Sequence, residues 1–167
     1  MSITIRLAKP EDALEMAEVH MRSWEVAYKG IISEEFIQEK NSTRQALFKR
    51  IITNDNKTNF VLQYNNKTVG IMTVDCPRDD DVSDDCYELK GIYLHPDYYR
   101  MGIGTKSVEF AFDLALGLGK HQMTVWVLAD NINAIKFYEK CGFIADGKSK
   151  TLEYGKTLNC IRMKKDL

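Results

Sequence analysis

The chain turns from strand to helix across the ten residues His95-Pro96-Asp97-Tyr98-Tyr99-Arg100-Met101-Gly102-Ile103-Gly104. Residues 87–94 before this loop have the composition of a strand, and residues 105–118 after it repeat apolar side chains at helical spacing. The two glycines leave main-chain N–H groups at the helix start free of side-chain obstruction. Because exposed amides and the helix dipole both attract anions, the loop predicts a site for a phosphate or pyrophosphate group.

Length and charge restrict the class of protein. A chain of 167 residues is the size of one domain, and we expect a single domain over residues 1–167. The net charge of −1 argues against a nucleic-acid or anionic-membrane partner. We also expect no membrane span, because no apolar run approaches about 20 residues. The four cysteines and three histidines are scattered, which predicts reduced thiols in a cytoplasmic protein and no metal site.

Periodicity predicts one α/β (α+β) domain with a mixed central sheet. The N-terminal half gives a strand, three helices and a hairpin. A loop with five aspartates between residues 79 and 85 follows, and we expect it to be solvated. The predicted strands are 3–8, 60–64, 68–75, 87–94, 123–128, 143–145 and 158–163; the predicted helices begin at Pro10, Ser33, Thr43, Thr105 and near Ala134.

Three kinds of phosphate loop compete for residues 95–104. A nucleotide-triphosphate loop needs Gly-Lys-Ser/Thr at the helix start, whereas this chain has Gly104-Thr105-Lys106. A dinucleotide loop needs a third glycine, where this chain has Ser107, and a tighter turn from strand to helix. Both are disfavoured.

The third kind fits, and a second block of sequence supports it. About 30 residues after the loop, the chain reads Asn131-x-x-Ala134-x-x-Phe137-Tyr138-Glu139-Lys140-x-Gly142-Phe143. The two blocks together resemble the GNAT N-acetyltransferase family, most specifically over residues 87–143. The family places Gln or Arg three residues before the first glycine, where this chain has Tyr99. That departure concerns one side-chain contact and leaves the main-chain loop unaffected.

The resemblance implies acetyl-coenzyme A as the cofactor and a mixed, mostly antiparallel sheet with splayed central strands, flanked by helices. The pyrophosphate would bind the glycine loop, and the pantetheine arm would lie like an added strand where two strands splay near Gly91. The implied cofactor contacts are Ile92, Tyr93, Leu94, Tyr99, Arg100, Met101, Gly102, Ile103, Gly104, Thr105, Asn131, Asn133 and Lys136.

The resemblance also implies the catalytic groups. Tyr138 matches the general acid that protonates the leaving thiolate, and a phenol is protonated at neutral pH because its ordinary pKa is about 10. Core packing is the alternative role for Tyr138, as helix capping is for Asn131. Glu88 corresponds to a general base of some members, with a solvent-facing strand position as the alternative. A main-chain N–H near Tyr93 or Leu94 would bind the oxyanion.

The acceptor is the least determined feature. The segment Ser23-Trp24-Glu25-x-Ala27-Tyr28-x-Gly30 resembles part of a bacterial subgroup that includes polyamine acetyltransferases. Trp24 and Tyr28, one helical turn apart, would then wall an alkylamine site, or alternatively pack in the core. The resemblance favours a small primary amine as acceptor; a peptide N-terminus, or a non-catalytic acyl-CoA binding module, remain the alternatives. The resemblance also implies a homodimer, since members of the family often form one.

Overall fold

The computed structural model of this protein describes residues 2–167 and contains five α-helices and seven strands within them. The helices are α1 (Ala13–Ala27), α2 (Glu34–Ser42), α3 (Arg44–Ile51), α4 (Ile103–Gly117) and α5 (Ile132–Lys140). The strands are β1 (Ile3–Leu7), β2 (Asn59–Tyr64), β3 (Lys67–Asp75), β4 (Cys86–Leu94), β5 (Gln122–Leu128), β6 (Ile144–Glu153) and β7 (Thr157–Asp166). Two short 3-10 turns are also present: Pro10–Asp12 directly before α1, and Pro96–Tyr98 at the start of the loop of residues 95–104, which we call the glycine loop.

The seven strands form a sheet in the order β1-β2-β3-β4-β5-β7-β6. Strand β4 runs parallel to β5, whereas β1 with β2, β2 with β3, β5 with β7, and β6 with β7 are antiparallel. This is the mixed, mostly antiparallel sheet with flanking helices that the sequence predicts. Among the residues that the structure describes, no helix has the length and apolarity needed to cross a bilayer.

The chain forms two compact units, and β4 and α4 each contribute residues to both. The first unit comprises Met1–Thr73 and Ile92–Ser107, and its core is built from α1, α3, β2 and β3. Asp12 anchors the start of α1, because its carboxylate accepts hydrogen bonds of 2.7 and 2.8 Å from Arg6. The Arg6 guanidinium lowers the pKa of Asp12. The buried core side chains are Ala8, Ala13, Met16, Ala17, Val19, Phe48, Ile52, Val61 and Ile71.

Local signals in the first unit act as the sequence predicts. The Ser33 hydroxyl caps α2 by accepting a 3.3 Å hydrogen bond from the Phe36 N–H. Asn65 and Asn66 join β2 to β3 with φ angles of 49° and 65°, the left-handed pair that a two-residue hairpin requires. Asparagine tolerates this conformation, so the hairpin register follows from the turn.

The second unit comprises Val74–Gly91 and Val108–Leu167. The Phe112 ring of α4 and the Tyr138 ring of α5 each lie 5.7 Å from the buried ring of Phe143. Along β5, buried Met123, Val125 and Val127 alternate with Thr124 and Trp126, which therefore lie on the opposite face of the strand. The second unit thus has an apolar core and a polar face of its sheet.

The aspartate loop is held to this unit by ion pairs of Asp79 and Asp81 with Arg162. Four of its five aspartates are nevertheless exposed, as the sequence suggests: Asp80, Asp81, Asp84 and Asp85. Arg162 of β7, which is 4% exposed, donates hydrogen bonds to Asp79, Asp81 and the buried carboxylate of Asp146. The Trp126 indole N–H also donates to Asp79 at 2.9 Å. Arg162 first, and then Lys148, hold the pKa of the Asp81 carboxyl well below its usual range. The loop carboxylates neutralise a buried guanidinium, a role that charge counting along the chain does not reveal.

Several element boundaries differ from the sequence predictions, most of all in α4 and β6. Helix α4 begins at Ile103, so Gly104 lies in its first turn rather than before it. Leu118, expected on the apolar face of that helix, is 55% exposed just after the helix ends. Strand β6 extends to Glu153 although a short strand over 143–145 is predicted. It is nearly all exposed and lies at the sheet edge, so neither face imposes the apolar alternation that would have marked it.

A buried histidine makes the first unit sensitive to acid. His20 of α1 is 7% exposed, and its ring lies 4.4 Å from Tyr93, 5.3 Å from Trp24 and 5.5 Å from Phe48. Burial, together with the nearby Arg44 guanidinium, lowers the pKa of His20 to about 3. Its Nδ1 has no hydrogen-bond partner among residues 2–167, so the ring is a neutral component of the core.

We therefore expect His20 to make stability depend on pH. Between about pH 6.5 and pH 3 the unfolded chain binds a proton at this ring that the folded chain excludes, so stability falls as pH falls. The loss is about 1.4 kcal/mol for each pH unit below 6.5. His20→Leu removes this contribution, and denaturant unfolding at several pH values between 5 and 7 measures the difference. Parallel pH profiles for the two proteins would contradict the assignment.

Candidate functional site

The glycine loop combines an open surface with an unusual backbone. Arg100 and Gly102 have φ angles of 60° and 78°, both in the left-handed region, with Met101 between them. Alternation of this kind turns successive N–H groups toward a common point, which is an anion-binding arrangement. No atom lies within 4 Å of the place where a Cβ on Gly102 would stand, so its backbone angle, rather than crowding, requires glycine. Tyr99, Arg100 and Met101 are exposed, so the loop is accessible.

The first turn of α4 continues this surface. The N–H of Lys106 donates to the Gly102 carbonyl at 3.1 Å. The N–H groups of Ile103, Gly104 and Thr105 lie before Lys106 in the first turn of α4, where main-chain N–H groups have no acceptor within the helix. Ile103 is buried, whereas Thr105 is exposed. The residues predicted to hold the pyrophosphate therefore form one continuous stretch of anion-attracting main chain at the positive end of a helix.

Strand β4, which leads into the loop, loses its parallel partner halfway along. Its pairing with β5 runs from Cys86 opposite Gln122 to Leu89 opposite Val125, and no further pair forms among the described residues. Both strands nevertheless continue, β4 to Leu94 and β5 to Leu128. Strand β5 keeps its other partner, β7, to the end, with Leu128 opposite Cys160. The main chain of β4 beyond Leu89 is therefore open on one edge.

The opposite edge of β4 is held firmly within the first unit. The N–H of His95 donates to the Val69 carbonyl of β3 at 2.8 Å. A Cβ on Gly70 would lie 2.5 Å from Leu94 Cδ2 and 3.1 Å from the Tyr93 carbonyl oxygen. A side chain at position 70 would require these atoms to shift, so the predicted cofactor-binding segment Ile92–Leu94 packs closely against β3 at Gly70. The end of β4 is therefore paired on one edge only, as in strands to which an extended ligand adds as a further strand.

Glu88 lies on the paired part of β4 and is 7% exposed, so the solvent-facing alternative does not hold. Its Oε2 accepts a 2.6 Å hydrogen bond from the ammonium of Lys90, whose side chain is 22% exposed. Two residues apart on a strand, the pair shares the polar face of the second unit. Glu88 is a predicted site residue and Lys90 is not, although Glu-x-Lys at strand spacing is a visible signal in the sequence.

Helix α5 carries the predicted acid and its companions. Tyr138 is 6% exposed and packs against Phe137 and Phe143, so the core-packing role is present. The Asn131 side chain accepts a 3.2 Å hydrogen bond from the Ala134 N–H and caps the helix. Asn133 and Lys136 are exposed on the same helix. The catalytic and cofactor roles of these residues stay predictions.

The predicted acceptor wall is more buried than an open site requires. Trp24 is 6% exposed, and its ring lies 4.6 Å from the Arg44 guanidinium carbon and 5.1 Å, edge to face, from the Tyr28 ring. Tyr28, at the end of α1, is half-buried. The structure thus brings the two aromatic rings together, with Trp24 in the core and Tyr28 nearer the surface.

Comparisons with known proteins agree on one family. The model of the acetyltransferase (GNAT) family matches residues 15–143. The uncharacterized N-acetyltransferase MJ1207 of Methanocaldococcus jannaschii is 28% identical over 141 residues, which cover 84% of this chain and 60% of that protein. The spermidine N(1)-acetyltransferase of Thermoplasma acidophilum is 27% identical over 149 residues, 86% of this chain and 89% of that protein.

A solved structure extends the likeness to the whole chain. The crystal structure of the PaiA N-acetyltransferase from Thermoplasma acidophilum, in complex with coenzyme A, superposes with a TM-score of 0.78 at 25% identity and covers 100% of both chains. This chain spans 60% of the length of MJ1207, so likeness to that relative concerns part of a longer protein. Since the family model matches most of the residues, and the seven-stranded sheet has the same fold as PaiA, this chain belongs to the acetyltransferase (GNAT) family.

Proposed function

We propose that this chain is a single-domain, acetyl-CoA-dependent N-acetyltransferase that moves an acetyl group to a primary amine by direct attack in a ternary complex. One observation carries the proposal: β4 opens along one edge after Leu89 and then leads into a loop with anion-binding backbone. An extended, amide-bearing arm that ends in a pyrophosphate fits both features. The coenzyme A bound in the PaiA structure supports the same ligand.

Cofactor binding in this proposal rests mainly on the backbone. The N–H groups of residues 100–105 bind the pyrophosphate, and the open edge of Ile92–Leu94 pairs with the pantetheine amides. Tyr99 and Met101 are exposed side chains that flank the loop. Asn131, Asn133 and Lys136 supply further contacts from α5. Because these bonds use main-chain groups, the Tyr99 departure from the family pattern leaves the affinity for the cofactor largely intact.

The reaction needs a base, an oxyanion donor and an acid. Glu88 takes a proton from the acceptor ammonium, and the free amine attacks the thioester carbonyl carbon. A main-chain N–H near Tyr93 or Leu94 donates to the oxyanion that forms. The carbon–sulfur bond then breaks, and the Tyr138 hydroxyl gives its proton to the leaving thiolate. In this scheme the burial of Glu88 and Tyr138 keeps water from competing for either proton.

We propose a polyamine or another small amine as the acceptor. The support is the likeness to a protein named spermidine N(1)-acetyltransferase, together with the aromatic pair of Trp24 and Tyr28. Because Trp24 is buried, we assign the direct contact with the alkyl chain to Tyr28. A peptide N-terminus is the second candidate acceptor. The homodimer and the cytoplasmic location stay predictions.

The proposal is tested by supplying acetyl-CoA with a panel of amines and measuring release of free thiol. We expect a polyamine to stimulate release, and peptides with free N-termini to stimulate it less. Thermal stabilisation by coenzyme A, with ATP and NAD as controls, tests the cofactor separately. If coenzyme A stabilises the protein and no amine stimulates thiol release, the chain is a non-catalytic acyl-CoA binding module.

Gly102→Ala tests the loop. Alanine in a left-handed conformation costs about 1–2 kcal/mol, so the free loop relaxes and must be strained again to bind. We expect the Kd for coenzyme A, measured by calorimetry, to rise about tenfold. Gly119→Ala is the matched control, because Gly119 has a φ of 73° and equally open surroundings in the turn after α4. Equal effects of the two substitutions on the Kd would argue against a cofactor role for the loop.

Tyr138→Phe tests the acid. We expect kcat to fall about 100-fold, because the thiolate loses its proton donor, while the Kd for coenzyme A stays within about twofold. Tyr64→Phe removes the hydroxyl of a half-buried tyrosine in β2 and should leave kcat unchanged. Full activity in the Tyr138 variant would assign that residue to packing alone.

A further inference from the structure

Two ammonium groups of the protein itself lie on the polar face of the second unit. The Lys90 ammonium is 2.6 Å from Oε2 of Glu88. The Lys150 ammonium lies 3.9 Å from the centre of the Trp126 ring, which is the distance of a cation–π contact. Lys150 is exposed and Trp126 is half-buried. The face therefore has two places that each bind an ammonium, one at a carboxylate and one at an aromatic ring.

The two places lie close together, and both belong to the second unit. Glu88 is opposite Thr124 in the parallel pairing of β4 with β5, and Trp126 is two residues further along β5. Paired residues, and residues two apart on one strand, share a face of the sheet. At about 3.3 Å for each residue along a strand and about 4.8 Å between strands, the Cα atoms of Glu88 and Trp126 are about 8 Å apart. An alkyl chain of a few carbon atoms spans a distance of this order.

The thiol of Cys86 shows that the two places share one environment. Cys86 Sγ donates to Thr124 Oγ1 at 3.7 Å, so its side chain lies on the same face. Burial raises the pKa of this thiol, and the carboxylates of Glu88 and Asp79 raise it further. Asp79 also accepts a 2.9 Å hydrogen bond from the Trp126 indole N–H. Glu88 and the carboxylate bound to Trp126 therefore both lie near a single buried side chain.

The charge at each place favours a cation once the lysine of the protein has moved away. The Arg162 guanidinium carbon lies 5.7 Å from the centre of the Trp126 ring. The ion pairs at this guanidinium join three carboxylates and two cations, namely Asp79, Asp81, Asp146, Arg162 and Lys148. Three negative and two positive groups leave a net charge of −1, which the Lys150 ammonium balances. Lys90 balances Glu88 in the same way.

We propose that Trp126 determines acceptor specificity by binding the second ammonium of a diamine, while the amine to be acetylated binds at Glu88. This inference rests on the proposed function, because it takes Glu88 as the group that receives the proton of the acceptor. The two ammonium groups of the diamine replace those of Lys90 and Lys150, whose side chains move into solvent. A monoamine gains only the contact at Glu88, so the Trp126 ring distinguishes diamines from monoamines.

The experiment compares diaminobutane with butylamine, which has the same alkyl chain and a single amine. Thiol release at saturating acetyl-CoA gives the KM for each amine, and calorimetry gives the Kd for diaminobutane. We expect Trp126→Leu to raise the KM for diaminobutane about tenfold and to leave the KM for butylamine within about twofold, because only the diamine uses the ring. Trp126→Phe keeps an aromatic face and loses the indole N–H, so it should retain most of the affinity for diaminobutane.

Lys150→Ala tests the competition for the ring. The substitution leaves the Trp126 ring free for the ligand, so the KM for diaminobutane should fall at least about threefold while that for butylamine stays unchanged. Lys156→Ala is the matched control, because it removes an exposed lysine of the same charge from the turn between β6 and β7. Equal effects of the two substitutions would assign the change to long-range charge and contradict a contact at the ring.

The outcomes separate this inference from the proposed function. Thermal unfolding checks that each variant folds, and Lys150→Ala, at an exposed position, provides the test if Trp126→Leu does not fold. If amines stimulate thiol release and Trp126→Leu raises the KM for both amines equally, only this inference is wrong. If no amine stimulates thiol release, the proposed function fails, and calorimetry still decides the ammonium site. A Kd for diaminobutane that is the same in Trp126→Leu and the unmodified protein overturns the site, and a rise of about tenfold supports it.

Discussion

Strand β4 separates from its parallel neighbour β5 after Leu89, and the candidate site depends on that separation. A strand inside a sheet normally satisfies its main-chain groups on both edges. Here one edge of β4 is bound to β3, through the His95 N–H and the close approach at Gly70, and the other edge is left open. Residues 90–94 are half-buried, and main-chain groups there that lack a strand partner favour a ligand or water that can pair with them.

Buried charged groups on the polar face of the second unit likewise need partners. Arg162 and Asp146 are both buried, and neither would be stable without the other. Asp79 and Asp81 complete the set and thereby fix the loop that precedes β4. Glu88 and Lys90 form a second, smaller pair on β4.

Local features of the site were predictable because they depend on neighbours in the sequence. Gly102 was identified from the strand-to-helix turn, and its left-handed backbone is the conformation that the turn needs. Helix capping was the alternative role given for Asn131, and its side chain does cap α5. The His95 side chain accepts a hydrogen bond from the Asp97 N–H and shapes the turn at Pro96. Asn131 and His95 each find a partner within three residues, and Gly102 needs only its own backbone angle.

The sequence by itself determined the mixed sheet, the glycine turn between β4 and α4 and the family to which the chain belongs, because these follow from periodicity, glycine placement and two spaced motifs. Tertiary structure alone decided that the aspartate loop binds Arg162, that His20 is buried and neutral, and that Glu88 is held by Lys90. Arg162 lies 81 residues from Asp81, and no periodicity connects residues so far apart. Burial and ion pairing arise only when distant strands meet, and they set the charge state of the groups that the sequence could merely name.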